Sequence, residues 1–211
     1  MKEINVSQMA VCLRHACAQI VSHESELTAI DTVIGDGDHG TGMKLGFSRL
    51  DAMLRQNSFC DMQTLLRSSG LELVKTMGGA SGVIFGSLLI GGCAACAEKT
   101  VLDAQALTAV FTDAADSISR RGGAKRGDKT MLDAMAPAIR SLERSVEMHQ
   151  GVAEALDAAA AAAAEGAEAT IPLIAHKGRA SYLGERSVGH KDPGAASFAY
   201  CMAAIAQAYK N

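Results

Sequence analysis

Apolar side chains recur at helical spacing along almost the whole chain, and the strict alternation typical of strands is rare. Two helix starts carry a capping signal, Asp61 and the pair Asp192-Pro193. The pattern therefore predicts an all-α fold. It predicts eight helices, at about 6–23, 39–56, 61–77, 80–99, 103–121, 129–148, 151–169 and 193–209.

The longest predicted connections share an order along the chain. They cover 24–38, 77–82, 121–130 and 170–192, and they follow the first, third, fifth and seventh helices. Loops of this length in compact helical domains are usually functional. In an up-and-down arrangement all four lie at the same end of the bundle. We therefore expect one rim that carries the chemistry.

The composition narrows the class of protein. The chain has 211 residues, a net charge of −3, 4% aromatic residues and no Trp, so neither a basic surface nor a stacking platform for bases is indicated. Its six cysteines, the Cys93–Cys96 pair included, are interpreted as reduced, buried thiols of a cytoplasmic protein. The apolar stretch 78–97 is broken by glycines and predicts a buried helix, so no membrane span is expected.

Three carboxylates fall within eight residues, interleaved with glycines: Asp31, Asp36 and Asp38. Carboxylates packed this closely repel one another, and a cation relieves the repulsion. Oxygen donors of this kind suit Mg²⁺ or Ca²⁺. We expect these three residues to be metal ligands.

Other interpretations of this segment fit less well. Gly35, Gly37 and Gly40 match a dinucleotide fingerprint, but no strand–helix–strand context follows. An EF-hand lacks its last carboxylate, because Gly42 or Phe47 stands there. A rival from another functional class is a non-catalytic module whose acidic loop binds Ca²⁺ or Mg²⁺ to hold the rim together or to dock a partner.

The remaining connections supply groups suited to phosphate. His39-Gly40-Thr41-Gly42 would open a helix whose first N–H groups attract an anion. Gly78-Gly79-Ala80-Ser81-Gly82 offers backbone N–H groups and a hydroxyl. The basic loop 121–130 could balance phosphate charge, and Arg179 could bind phosphate in a bidentate manner.

These segments together resemble the L subunit, the nucleotide-binding subunit, of the dihydroxyacetone kinases. The resemblance spans nearly the whole chain and rests on four matches in order. The matching segments are Asp31 with Ile34–Gly40, Gly78–Gly82, Gly127–Met131 and Lys177–Gly194.

The resemblance implies a barrel of eight antiparallel helices in one nucleotide-binding domain, residues 1–211, with the nucleotide at one rim. It implies that Asp31, Asp36 and Asp38 hold two Mg²⁺ ions that bridge the phosphates of ADP or ATP, and that Arg179 acts in catalysis. The implied nucleotide contacts are His39, Gly40, Thr41, Gly42, Ala80, Ser81, Gly122 or Gly123, Met131, Arg179, Asp192, Pro193 and Gly194.

The family divides by phosphoryl donor. In one branch ATP exchanges in each cycle; in the other, bound ADP is rephosphorylated by a phosphotransferase-system subunit. A chain of this length with the segment 177–187 looks more like the second branch. The acceptor, dihydroxyacetone or a related ketose such as erythrulose, would be held by a separate K subunit. A homodimer is left open.

Overall fold

The structure, a computed structural model, describes residues 2–211. The described chain contains nine α-helices, two short strands and two 3-10 helices. In chain order these are β1 (Glu3–Asn5), α1 (Val6–Ser22), α2 (Glu24–Ile34), α3 (His39–Gln56), α4 (Met62–Met77), α5 (Gly79–Gly91), a 3-10 helix (Ala94–Cys96), β2 (Val101–Asp103), α6 (Ala104–Gly122), α7 (Met131–Glu147), α8 (Val152–Glu168), a second 3-10 helix (Arg179–Ser187) and α9 (Pro193–Lys210).

Eight of the helices form a closed ring. Neighbours pack in the order α1, α3, α4, α5, α6, α7, α8 and α9, and α9 packs back against α1. The interior is filled by buried apolar side chains such as Leu50, Leu65, Phe85, Leu107 and Phe198. The predicted all-α fold with an eight-helix barrel is confirmed, and α2 lies outside the ring against α3 and α9.

The starts of alternate helices meet at one end. His39 at the start of α3 lies 3.2 Å from Ser81 in the first turn of α5, between Nδ1 and Oγ. The Nε2 atom of His39 lies 2.8 Å from Ser197 Oγ near the start of α9. Met131, which begins α7, lies beside Gly194 of α9. This end is called the rim below.

The opposite end is closed by the two strands. β1 and β2 pair antiparallel, with Ile4 opposite Leu102. The N–H of Val6 donates to Thr100 O at 3.2 Å, and the hydroxyl of Tyr209 donates to Glu3 O at 2.7 Å. The start of α1 thus meets the end of α9, so these neighbouring helices run antiparallel.

Three predicted boundaries are wrong. The connection predicted at 24–38 is helical from Glu24 to Ile34, because Leu27 and Ile34, two helical turns apart, are both buried on the same face. The helix predicted at 80–99 ends at Gly91, and the chain then turns into β2. The connection predicted at 77–82 is reduced to Gly78, because α4 ends at Met77 and α5 begins at Gly79. The connection predicted at 170–192 does lie between α8 and α9, and it contains the 3-10 helix Arg179–Ser187.

The expectations about the cysteines and about a membrane span can also be compared with the structure. Five of the six cysteines are buried, and Cys60 is exposed, which corrects that part of the expectation. Residues Gly79–Cys96 are apolar and long enough to span a membrane by composition. In the fold they are divided between α5, a turn and a 3-10 helix, and α5 packs between α4 and α6. At 13 residues, α5 is shorter than the ~20 residues that a span requires.

Candidate functional site

The three predicted carboxylates come together at the rim. Asp31 lies in the last turn of α2, and Asp36 and Asp38 lie in the short connection to α3. Each offers one carboxylate oxygen, and these oxygens lie within 4.8 Å of one another. Asp31 is buried, whereas Asp36 and Asp38 are exposed. The group therefore opens to solvent above a buried base.

Two glycines shape this connection. A Cβ atom at Gly35 would lie 2.1 Å from Asp31 Oδ1, so a side chain there would displace the buried carboxylate. Gly37 has a φ of 75°, a left-handed conformation that glycine adopts without strain. The interleaved glycines thus let the chain fold Asp36 and Asp38 back over Asp31.

The charges of the cluster are only partly balanced within the chain. Partial burial and the neighbouring carboxylates of Asp36 and Asp31 raise the pKa of Asp38, and Arg179 opposes this shift. Arg179 Nε lies 2.8 Å from Asp36 Oδ2, and 71% of the arginine side chain is exposed. The three carboxylates repel one another, and their hard oxygen atoms are suited to bind a divalent cation such as Mg²⁺, which would relieve this repulsion.

His39 links the carboxylates to two other helices. Its backbone N–H donates to Asp31 Oδ2 at 3.1 Å, and its ring lies between Ser81 and Ser197. Burial lowers the pKa of His39, and the charge of Asp31 opposes this shift. The imidazole is therefore neutral near pH 7, with one ring nitrogen donating and the other accepting.

The start of α5 forms an open turn beside this histidine. Gly78 and Gly79 have φ values of 65° and 58°, and Cβ atoms there would meet nothing within 4 Å. The first N–H groups of a helix lack partners within the helix and favour anions. Ala80 is exposed and Ser81 is half-buried, so both predicted contacts border open space next to His39.

The starts of α7 and α9 form the opposite side of the rim. Thr130 caps α7 in a capping box with Asp133, which leaves Met131 buried at the first helical position. Asp192 caps α9 by accepting from the N–H of Ala195 at 2.7 Å. A Cβ atom at Gly194 would lie 3.7 Å from Met131 N, so the two starts touch.

The other predicted contacts are more scattered. A Cβ atom at Gly40 would lie 2.3 Å from Glu24 O, so Gly40 serves a close crossing with α2. Thr41 is exposed and donates to Asp38 O at 2.9 Å, and Gly42 borders open space. Gly122 ends α6 near Ile84. Gly123 follows with a φ of 60° beside Lys177 Nζ.

Sequence reasoning missed one polar residue, Ser197, and misjudged the charge of Lys129. Ser197 is fully buried against His39, and a lone Ser within an Ala-rich helix gave no signal. Lys129 belongs to the basic loop 121–130, for which the sequence predicts a role in balancing phosphate charge. Its ammonium instead is buried against backbone carbonyls, so it is unavailable to a ligand. The sequence signal for this structural role of Lys129 is its position in the run Gly127–Thr130, directly before a helix.

Comparison with known proteins decides the family. Residues 33–207 match the family described as the DAK2 domain. The chain belongs to the DAK2 domain family. The resemblance drawn from the four loop segments is thereby confirmed. This DAK2 chain is 44% identical over 196 residues to the PEP-dependent dihydroxyacetone kinase, ADP-binding subunit DhaL, of Escherichia coli (strain K12), covering 92% of this chain and 93% of the relative.

Further relatives extend the comparison. The DAK2 chain is 32% identical to the PTS-dependent dihydroxyacetone kinase, ADP-binding subunit DhaL, of Lactococcus lactis, covering 86% of each chain. It is 42% identical to the D-erythrulose kinase of Mycolicibacterium smegmatis, covering 87% of this chain but 32% of that protein. Relatives about as long as this chain are thus named as kinase subunits, and a relative about three times as long is named as a kinase.

A solved structure shares the fold. The dihydroxyacetone kinase of C. freundii in complex with AMP-PNP and Mg²⁺ superposes with a TM-score of 0.73 at 26% identity. It covers 98% of the DAK2 chain, which in turn spans 35% of that protein. The helical ring therefore corresponds to one part of the longer C. freundii kinase.

Proposed function

We propose that this chain is the nucleotide-binding subunit of a dihydroxyacetone kinase, a phosphotransferase, and that residues 1–211 act as one nucleotide-binding domain. The observation that carries the proposal is the group Asp31, Asp36 and Asp38, open to solvent and bordered by helix starts and Arg179. The names of the relatives, with ADP binding in the DhaL subunits, agree with it.

The three carboxylates would hold Mg²⁺, two ions in our proposal, and the metal would neutralise phosphate charge when bound. The chain's own residues would position the nucleotide. N–H groups at the starts of α3 and α5, with Ser81, would donate to phosphate oxygens. Gly122 or Gly123, Met131, Asp192, Pro193 and Gly194 would border the rest of the nucleotide.

Arg179 would act on charge that develops at the transferred phosphoryl group. Its side chain is exposed and already lies 2.8 Å from Asp36, so it can reach the centre of the rim. Phosphoryl transfer requires positioning and charge stabilisation more than a nucleophile from the protein. The acceptor ketose and its binding groups would belong to a separate K subunit.

The donor is the finer part of the proposal. We propose that ADP stays bound as a cofactor and is rephosphorylated by a phosphotransferase-system subunit in the cytoplasm. The names of the DhaL relatives, which are PEP- or PTS-dependent, support this branch. An ATP-dependent subunit acting on erythrulose is the second candidate, favoured by the erythrulose kinases among the relatives.

One experiment tests the donor. Protein purified in Mg²⁺ buffer is denatured, and any released nucleotide is identified by chromatography. We expect near-stoichiometric ADP. Nucleotide-free protein that then turns over added ATP would favour the second candidate. Protein that binds neither Mg-ADP nor Mg-ATP would contradict the kinase proposal and favour a Ca²⁺-binding module. Light scattering on the purified protein before denaturation measures whether the chain is a homodimer.

A further inference from the structure

Lys129 holds a charge in an unusual place. Its side chain is 1% exposed, and its ammonium donates to Thr170 O at 2.8 Å, Leu173 O at 3.1 Å and Ile171 O at 3.4 Å. A fourth carbonyl, that of His190, also accepts from it. Burial lowers the pKa of Lys129, and the charge of Asp192 opposes this shift. The lysine is therefore surrounded by oxygen atoms of the main chain.

These carbonyls come from both ends of one loop, residues 170–191, which joins α8 to α9. Near the same point the N–H of Gly189 donates to Ile171 O at 2.8 Å. The N–H of Asp192 donates to Thr170 Oγ1 at 2.9 Å. The ammonium thus joins the first and last segments of the loop at its base.

The loop carries Arg179 at the far side of that base. Arg179 lies in the 3-10 helix Arg179–Ser187 and reaches Asp36 of the acidic cluster. The loop has its own small core, where Ala175 and Ala180 pack against Ile34. The N–H of Ala175 also donates to Ser187 Oγ at 2.9 Å. The lysine makes no contact within this small core, and at the base of the loop its ammonium adds to the two hydrogen bonds made by Gly189 and Asp192.

The backbone conformation at Lys129 is held by contacts of the residues on either side. Its φ is 60°, a left-handed conformation that costs energy for a residue with a side chain. The preceding carbonyl, Asp128 O, accepts from the N–H of His176 at 3.0 Å, and the next residue caps α7. A glycine would suit this φ better, so the lysine side chain must offset the backbone cost.

We propose that Lys129 is a positioning residue for phosphoryl transfer: its ammonium closes the base of the 170–191 loop and thereby sets the place of Arg179 over the acidic cluster. The effect on transfer rests on the proposed function. The effect on the loop does not, because it follows from the carbonyl contacts alone. Without the ammonium, buried carbonyls lose a charged donor, and the base of the loop loosens.

The test uses two variants and one control. K129M keeps the stem and the backbone conformation but removes the charge, and K129G also relieves the left-handed strain. K99M makes the same chemical change at an exposed lysine in the turn that precedes β2, at the opposite end of the barrel. For each protein we would measure amide hydrogen exchange without ligand, ADP affinity, and kcat and KM for transfer to the ketose on the K subunit.

We expect exchange in the 170–191 loop to rise about tenfold in K129M and K129G while the ring helices stay protected. We expect kcat to fall about tenfold or more, with a smaller change in ADP affinity. Added n-butylammonium should restore part of the kcat and the loop protection of K129G, whereas sodium at the same concentration should not. K99M should match the wild-type protein.

Each contrary result has a definite meaning. Unchanged loop exchange in both variants would overturn the inference. Protection lost evenly from all helices, or a failure of both variants to fold, would overturn it too, because Lys129 would then support the whole barrel. Faster loop exchange with unchanged kcat would also contradict the positioning role. Wild-type protein that transfers no phosphoryl group would contradict the proposed function, while the exchange comparison would still decide the effect on the loop.

Discussion

The acidic cluster and the base of the 170–191 loop treat charge in opposite ways. Asp36 and Asp38 are exposed, repel each other and meet one exposed arginine. Lys129 is buried and fully supplied with carbonyl partners from the chain itself. The contrast separates two kinds of polar group. Charge satisfied within the chain builds the site, whereas charge left facing solvent indicates where a ligand binds.

The largest expected effect breaks the open side of this comparison. Asp36→Asn removes one donor from the cluster and should weaken Mg-dependent ADP binding at least about 100-fold, because even outer-sphere changes cost 10–100-fold. Calorimetric titration measures it, and circular dichroism should show unchanged helix content. Asp116→Asn, the same change on the exposed face of α6, is the control. Full retention of binding in Asp36→Asn would remove these carboxylates as metal ligands.

A second variant separates catalysis from binding within the cluster. Arg179→Ala should lower kcat about 100-fold, the usual loss of one group that stabilises transition-state charge. Its exposed side chain makes an ion pair with Asp36, so ADP affinity should change only about threefold. Steady-state kinetics with the K subunit provide the test. Arg179→Lys should recover part of kcat. Equal activity in Arg179→Ala would exclude the arginine from the mechanism.

A third variant tests the satisfied side at His39. Ser197→Ala removes the hydroxyl 2.8 Å from His39 Nε2, so the buried ring loses one of its polar partners. The cost of about 1–2 kcal/mol should lower Tm by about 2–8 °C and weaken ADP binding a few-fold. Thermal melts measure the first effect. Ser87→Ala is matched to it, since that buried hydroxyl donates within its own helix to Val83 O. Equal melting shifts for the two variants would argue against a special role for Ser197.

The smallest effect is a pH dependence at Asp192. Burial raises the pKa of this carboxyl from 3.8 to about 7, with Asp133 adding to the shift and Ala195 N–H and Lys129 opposing it. Between these values the folded chain holds a proton that the unfolded chain has released. The contribution of Asp192 to stability therefore falls as pH rises from about 4 to 7.

Asp192→Asn keeps the capping oxygen and abolishes this titration. Relative to the wild-type protein, its Tm should rise by about 2–3 °C between pH 6.5 and pH 8. Melting curves at several pH values check this. A constant difference across that range would mean that Asp192 ionises normally and that its cap is fully charged in the fold.

Much of this arrangement follows from local sequence. The helical periodicity predicted the all-α fold, the family resemblance implied the ring, and the order of the four long connections predicted that they meet at one end. The Asp–Gly spacing predicted the cluster because glycine is needed where Gly35 meets Asp31 and where Gly37 turns left-handed. Such features depend on neighbours in the chain, so the sequence reveals them.

Contacts between distant segments were not predictable in this way. Ser197 meets His39 across 158 positions, and Lys129 meets Thr170 across 41. A basic residue in a polar loop looks the same whether it faces phosphate or a buried carbonyl. The helix α2 was missed for a related reason: its apolar face is one side of an 11-residue segment, too short for a clear period.

The central claim is that the open carboxylates bind nucleotide through a metal. Calorimetric titration of ADP into nucleotide-free wild-type protein, once in Mg²⁺ and once in EDTA, tests it most directly. We predict tight binding with Mg²⁺ and a loss of about 100-fold or more in EDTA, in line with the expected cost of losing a metal ligand. Equal affinity under both conditions would contradict the account.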